Sequence, residues 1–409
     1  MGDWKARTIV SVAILVLGLT SPSTAQEADR WTSSWGASPV FPVGQDVGGS
    51  TIRQYVRLSM GGSHVRVRFS NETGKTPLVI GAATLAKPGN AAGSVDAASI
   101  RPLTFGGIET VTVPPGAPML SDPVDVPVDA LSTLAISMFV PRATGPSVVH
   151  PDGVQTAFLV QGDKTGEAGL DGAKTLLTRF YLSGVEVAND NTPPAAIVTF
   201  GDSITDGYHS TTDANRRWPD RLAERLAQRG AGKAVGVVNA GISGNRVLHD
   251  RPEDIFGPSA LSRLDRDALS QSGAKWLVVM EGINDIGHSS QAGLTEQEVT
   301  AEEIIAGHKQ IIARAKAKGL KVYGATLTPF EGTVFPGYFT PEGEAKRKAV
   351  NEWIRTGGAY DAVLDFDAVV RDPSNPSRMK AEYDEGDHLH PNDAGYKAMA
   401  DSVDLALFD

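Results

Sequence analysis

A serine, a histidine and an aspartate stand in this chain in the setting that acyl transfer requires. Ser203 lies in the stretch 195–207, AAIVTFGDSITDG, where Ile197, Val198, Thr199 and Phe200 run straight into Gly201-Asp202-Ser203. A short apolar run ended by Gly and Asp predicts a buried parallel strand. Ser203 would then sit just beyond its carboxyl end, the edge at which open α/β sheets bind ligands. An ordinary strand-to-loop turn that happens to contain serine fits this stretch equally well, so the partners must decide. A serine hydroxyl is a weak nucleophile until a base takes its proton and a carboxylate orients that base. Asp387 and His390, in Asp387-His388-Leu389-His390-Pro391, are close enough for one turn to join carboxylate to imidazole. The developing oxyanion needs donors fixed in advance, each worth roughly 3–4 kcal/mol. Candidates are the backbone N–H of Ser203, the backbone N–H of Gly241 in 239–245, and the side chain of Asn284 in 281–285.

Neighbouring residues compete for these roles. Ser243 is a poor rival, because Gly241-Ile242-Ser243-Gly244 has its second glycine in the wrong place for the G-x-S-x-G elbow. His388 reads as an exposed turn residue or a pocket wall. His209, His249 and His288 each come after a block and fit solvated loops slightly better than a pocket mouth. Arg217 and Trp218 fit the capping and anchoring of a helix better than substrate contact, and Asp285 fits hydrogen bonding that holds the Asn284 loop. None of the histidines and carboxylates has zinc or calcium spacing.

These segments need a scaffold that brings them to one edge. From residue 195 onward, strand-like and helix-like patterns alternate. Strands are expected at 197–200, 236–240, 276–280, 320–327 and 362–366, with helices at 219–229, 258–271, 300–318, 341–355 and 391–407. Ile304, Ile305, Ile312 and Ala315 form an apolar stripe, basic residues crowd the last turn, and Gly319 stops the helix. Five strands with intervening helices imply right-handed crossovers and a three-layer, mostly parallel sheet.

Residues 26–188 have a different texture. In 63–70, Val65, Val67 and Phe69 alternate with His64, Arg66 and Arg68, the period-2 pattern of a half-buried strand. Residues 52–60 precede it across a tight Gly61-Gly62 turn, and further β-rich runs lie at 76–85, 109–113, 131–140, 156–160 and 176–187. This predicts an all-β sandwich of jelly-roll type. Charged residues number 27 in 26–190 and 56 in 191–409, a shift that supports two domains. Residues 189–194, NDNTPP, read as the linker. Trp31, Trp35 and Tyr55 suit either a sugar-stacking platform or, more simply, core. Asn71-Glu72-Thr73 is a glycosylation sequon that, with Gly74, reads more simply as a turn.

The chain has 409 residues, enough for two cores. Its net charge of −10 argues against nucleic acid and anionic membrane surfaces as partners. With no cysteine, disulfides, thiolate metal sites and cysteine nucleophiles are impossible. Residues 1–25 read as a signal peptide: Lys5 and Arg7 precede an apolar run at 8–20, and Ser23-Thr24-Ala25 offers a cleavage site. The run is short of the roughly 20 residues a membrane span needs. The mature protein is therefore expected outside the cell or in a periplasm.

Together, Gly201-Asp202-Ser203, Gly241, Gly282-x-Asn284-Asp285 and Asp387-x-x-His390-Pro391 resemble the four blocks of the GDSL, or SGNH, hydrolase superfamily, in the family's order. The resemblance covers about residues 195–409. It implies a flavodoxin-like sheet, no metal or organic cofactor, and ester hydrolysis through an acyl-enzyme. It also implies Ser203 as nucleophile, His390 and Asp387 as base and orienter, and Ser203, Gly241 and Asn284 as the oxyanion hole. With Ser-Trp-Gly-Ala-Ser-Pro near the mature start and Arg-Trp-Pro-Asp after the first block, the chain is similar to secreted acetyl esterases and arylesterases associated with xylan breakdown. Acetylated carbohydrate is then the expected substrate. A lipase or lysophospholipase is the alternative within the same chemistry, and a non-catalytic carbohydrate-binding protein is the alternative outside it. Substrate-binding residues and oligomeric state are not legible.

Overall fold

The computed structural model describes residues 31–189, 193–250, 255–291 and 295–409. The expected signal peptide and the middle of the expected linker lie outside the described residues. Among the described residues, no helix is long and apolar enough to cross a membrane.

The second half of the chain forms a five-stranded parallel sheet. In spatial order its strands are Gly236–Gly241, Ala196–Gly201, Ala274–Met280, Lys321–Ala325 and Ala362–Leu364. That order, second-first-third-fourth-fifth in sequence, is the flavodoxin-like one. Alternate side chains of these strands enter two different cores. Val198, Phe200, Leu277, Val279 and Val322 pack with Ile304, Ile311, Val350 and Ile354 from helices Ala301–Ala317 and Pro341–Thr356. Ile197, Val237, Trp276, Val278 and Tyr323 pack with Trp218, Leu222, Tyr396 and Met399 from helices Trp218–Ala227 and Asp393–Asp401. A strand buried on both faces is near-continuously apolar, which is why 197–200 reads as one unbroken apolar or β-prone run. The helix expected over 258–271 is shorter: Ala260–Leu264 passes into a π-helical turn, Asp265–Leu269.

Helix Ala301–Ala317 starts at a Thr300/Glu303 capping box and carries one buried polar residue with a measurable consequence. His308 is fully buried, with Nε2 3.0 Å from the Glu281 carbonyl and Nδ1 2.5 Å from the Tyr360 hydroxyl. Burial holds its pKa down to about 4. The unfolded chain, with an ordinary histidine near 6.5, takes up this proton first, so stability falls as pH drops from about 6.5 toward 4. This one group should cost on the order of 3 kcal/mol at the acid end. Urea unfolding of wild type and His308→Gln at pH 7 and 4.5 checks it: the variant should lose less on acidification.

The N-terminal region is all β. One antiparallel sheet joins Trp31–Gly36, Leu182–Ala188, Gly62–Ser70 and Pro118–Leu120, with Val124–Val128 also paired to Gly62–Ser70. A second joins Lys174–Leu176, Ala157–Gln161, Ser50–Arg57, Thr133–Val140, Ala82–Ala86 and Arg101–Pro102. Ile52, Val56, Ile136 and Met138 of the second sheet share one core with Val65, Val67, Phe69, Val185 and Val187 of the first. Trp31 is buried beneath the Arg66 guanidinium, and buried Tyr55 donates to the Ser94 carbonyl. Trp35 lies under Arg179. The core reading holds for Trp31 and Tyr55. The sequon also resolves to a turn: Asn71 is 2% exposed and its Nδ2 donates to the Thr76 and Val113 carbonyls.

The two regions meet along the open edge of the parallel sheet. The Val237 N–H donates to Ser59 Oγ at 2.8 Å, and the Ser33 N–H to the Ser272 carbonyl at 2.9 Å. A Cβ on Gly236 would lie 2.2 Å from the Ser33 carbonyl oxygen, so the approach needs glycine. An exposed sheet edge is thereby covered.

Candidate active site

Ser203 is the first residue of a one-turn helix, Ser203–Asp206, that leaves the end of strand Ala196–Gly201. Asp202 caps it: its backbone is extended and its Oδ1 accepts the Ile204 N–H at 3.0 Å. Gly207, at φ 90°, ends the turn in the left-handed region. First-turn N–H groups have no intrahelical acceptor, so the Ser203 N–H is free of that duty.

Ser203 Oγ lies 2.8 Å from His390 Nε2, and His390 Nδ1 lies 2.6 Å from Asp387 Oδ2. Asp387 Oδ1 accepts the N–H groups of Leu389 and His390 at 2.9 and 2.8 Å. Burial pushes the Asp387 carboxyl up, but the hydrogen bond and charge of His390 and those two N–H groups bring it down to about 2. A carboxylate so held stays ionised and keeps the imidazole Nε2 toward the serine. This is the connectivity a nucleophile, base and orienting group require. The His390 ring is flanked by Tyr208, with centroids 4.6 Å apart, and by the edge of Phe335 at 6.3 Å.

Asn284 belongs to the first turn of helix Ile283–Gln291 rather than to a loop. Its Oδ1 accepts from the Tyr338 hydroxyl at 2.7 Å, and its Nδ2 donates to the Asn245 carbonyl at 2.9 Å. One Nδ2 hydrogen is left for a ligand, and Tyr338 fixes which end of the amide presents it. Asp285 accepts from the N–H groups of Val247 and Leu248 at 2.7 and 3.1 Å, tying the 245–248 segment to this helix.

Gly241 does not fit the place expected of it. It is still paired in the sheet opposite Gly201, and its N–H donates to Asn239 Oδ1 at 2.9 Å. A Cβ there would lie 2.3 Å from the Asp206 nitrogen, so the glycine serves close packing beneath the serine helix. Gly244, three residues on, lines the cavity with Ser203 and Asn284. Its φ of +74° and the Phe256 ring, 1.9 Å from where a Cβ would be, both require glycine. The sequence signal for Gly244 is a glycine followed by Asn245, three residues beyond the strand end at Gly241.

Nothing in the sequence pattern marks the role of Arg263. Its guanidinium donates to the carbonyls of Gly201 (2.9 Å) and Ala240 (2.7 Å), to Asn245 Oδ1 (2.8 Å) and to Glu281 Oε1 (3.0 Å). It thus ties together the ends of the three strands that precede Ser203, Gly244 and Asn284. Beneath the serine, burial raises the carboxyl pKa values of both Asp202 and Glu281, each further raised or offset by its charged neighbours.

These groups open into a cavity of about 530 Å³. Ile255, Phe256, Phe335, Tyr338 and Leu389 give it apolar walls, and Asp152 and Pro151 reach it from the β region. His288 lines it, and Tyr208 stacks on His209 at 4.1 Å. His388 pairs instead with Asp384 and is half exposed. Ser243 lines the cavity, with its N–H 3.2 Å from Asp206 Oδ2. Trp218 is buried against Phe366, and Arg217 reaches back to the β region. Among the described residues no cluster of histidine and acidic side chains could hold a metal ion.

The sequence profile of the GDSL-like lipase/acylhydrolase family matches residues 199–398. Solved structures similar to this chain include the aryl esterase of M. smegmatis, 19% identical over 52% of this chain and 96% of that one, TM-score 0.40. A carbohydrate acetylesterase from Sinorhizobium meliloti is 17% identical over 50% and 94%, TM-score 0.38. An acetyl xylan esterase is 20% identical over 51% and 96%, TM-score 0.39. No curated protein sequence matches the chain.

Proposed function

Through residues 199–398 the chain belongs to the GDSL-like lipase/acylhydrolase family and is a hydrolase acting on esters; from that premise we propose that it is a secreted serine esterase removing short acyl groups, acetyl above all, from carbohydrate. The observation that carries this is the hydrogen-bonded chain Ser203–His390–Asp387 opening into the cavity. Ser203 Oγ attacks the ester carbonyl while His390 Nε2 takes its proton. The tetrahedral oxyanion is held by the Ser203 N–H, the Gly244 N–H and the free Nδ2 hydrogen of Asn284. His390 then protonates the leaving alcohol, and a water deprotonated by the same imidazole attacks the acyl-enzyme and releases the acid. Asp387 orients the imidazole and stabilises its charged form throughout. In this reading residues 1–25 are a leader, 26–188 an accessory β domain and 195–409 the catalytic domain, joined by 189–194.

Acetate release from acetylated monosaccharides and polysaccharides, with phospholipid as control, tests the substrate class. A second reading, hydrolysis of longer acyl chains, is favoured by the aromatic cavity and by Val334, 58% exposed beside Phe335. A series of p-nitrophenyl esters separates the two: rates should fall steeply beyond about four carbons for a short-acyl esterase and rise for a lipase. Asn284→Ala should lower kcat roughly 10²–10³-fold with little change in KM, the cost of one oxyanion donor. Steady-state kinetics on p-nitrophenyl acetate reads this, and a loss confined to KM would remove Asn284 from that role.

A further inference from the structure

The β region does more than cover a sheet edge. Its segment 150–156 is pinned to the loop beyond Ser203 at three points. Buried His150 places Nε2 3.0 Å from Asp206 Oδ1 and Nδ1 2.9 Å from the Ser38 carbonyl. Arg217 donates to the carbonyls of Gly153 at 2.5 Å and Asp152 at 3.3 Å. Asp213 accepts from the Thr156 N–H and hydroxyl at 2.6 and 2.7 Å. Within this clamp Val154 has φ 45°, a left-handed conformation that a β-branched residue adopts only when its surroundings force it. The clamp brings Asp152 to the cavity wall, where it is the sole carboxylate among the described lining residues.

We propose that Asp152 is a specificity-determining residue that binds hydroxyl groups on the alcohol portion of the ester, so that the β region completes a subsite for polyhydroxylated, sugar-like alcohols. The inference rests on the serine-esterase reading above and names the side of the substrate that the β region recognises. An acetyl or alkyl acyl group has no donor to offer a carboxylate, whereas a sugar has several. Burial and the neighbouring Asp206 carboxylate raise the Asp152 pKa, and the Ser243 hydroxyl, His150 and Arg217 work against them. Hydroxyl donors from a ligand would add to that second group. The Tyr208 ring, on the same cavity, offers an aromatic face to the C–H side of a sugar ring.

The test compares kcat/KM for three acetates: a monoacetylated methyl glycoside, cyclohexyl acetate of similar bulk without hydroxyls, and p-nitrophenyl acetate. In the wild type the glycoside should exceed cyclohexyl acetate at least tenfold. Asp152→Asn and Asp152→Ala should each lower kcat/KM for the glycoside ten- to a hundredfold, as expected for hydrogen bonds to a charged group, mainly through KM. Both variants should leave the other two acetates within about twofold. No glycoside preference in the wild type, or equal losses on all three acetates in the variants, overturns the subsite while p-nitrophenyl acetate turnover leaves the esterase standing. Absence of wild-type activity on every ester overturns the esterase reading itself.

Discussion

Ser203→Ala is expected to lower kcat on p-nitrophenyl acetate by roughly 10⁴-fold or more, the scale of nucleophile removal in serine hydrolases. Among the described residues, Ser203 Oγ alone is placed to form the acyl-enzyme while sharing a hydrogen bond with an imidazole, at 2.8 Å. Ser243, the other serine on the cavity, contacts Asp206 instead. The fold should be indifferent to the change. Alanine fits the first turn of a helix, and the capping bond from the Ile204 N–H to Asp202 is untouched. A melting temperature within a few degrees of wild type, together with the lost turnover, is the expected pair of results. Retention of more than about a tenth of the activity would remove Ser203 as nucleophile.

The second large effect is expected at Asp387. Asp387→Asn preserves shape, and its side-chain oxygen can still accept the N–H groups of Leu389 and His390. Opposite His390 Nδ1, however, an amide NH₂ replaces a carboxylate oxygen. The imidazole then carries its proton on Nε2, facing Ser203, and cannot accept another. A loss of about 10⁴-fold in kcat is the expected cost of this wrong tautomer, with KM little changed. Because the wild-type carboxyl is held at about 2, it remains ionised throughout the range in which the enzyme would be assayed. An acid limb in the pH–rate profile therefore does not belong to Asp387. Kinetics of the variant from pH 5 to 9 test both points, and a loss of less than about tenfold would place the orienting role elsewhere.

Much of this arrangement was legible in the linear chain because the deciding signals are local. Apolar or β-prone runs such as 197–200 and 276–280 mark buried parallel strands, and the residues just beyond each run must emerge at the same edge of the sheet. That was enough to bring Ser203, Asn284, Asp387 and His390 together, since right-handed parallel crossovers leave one geometry. Asp387 and His390 needed even less, because a single turn joins them. The two textures of the chain, alternating β and then strand–helix, were equally open to reading.

Tertiary structure decided the rest. Whether Gly241 or Gly244 faces the cavity depends on where strand pairing stops, and Gly241 is still in register with Gly201 with its N–H taken by Asn239. No residue-type pattern reports the direction of one N–H. Trp31 and Tyr55 have the composition of a sugar platform, yet both are buried, Trp31 beneath the Arg66 guanidinium and Tyr55 against Ala86, Val95, Ala135 and Phe158. Arg263, one of two arginines in the helical pattern at 258–271, acquires meaning only when three strand ends converge on it. Asp152 is the clearest case. Nothing around it in sequence is periodic, and its place on the cavity wall comes from contacts with Asp206, Arg217 and Asp213 in the other half of the chain. The linear chain alone pointed to the chemistry expected at Ser203, because that chemistry depends on residue types at strand ends. The packing of one region on the other decided what surrounds it, because long-range contacts leave no period in the sequence.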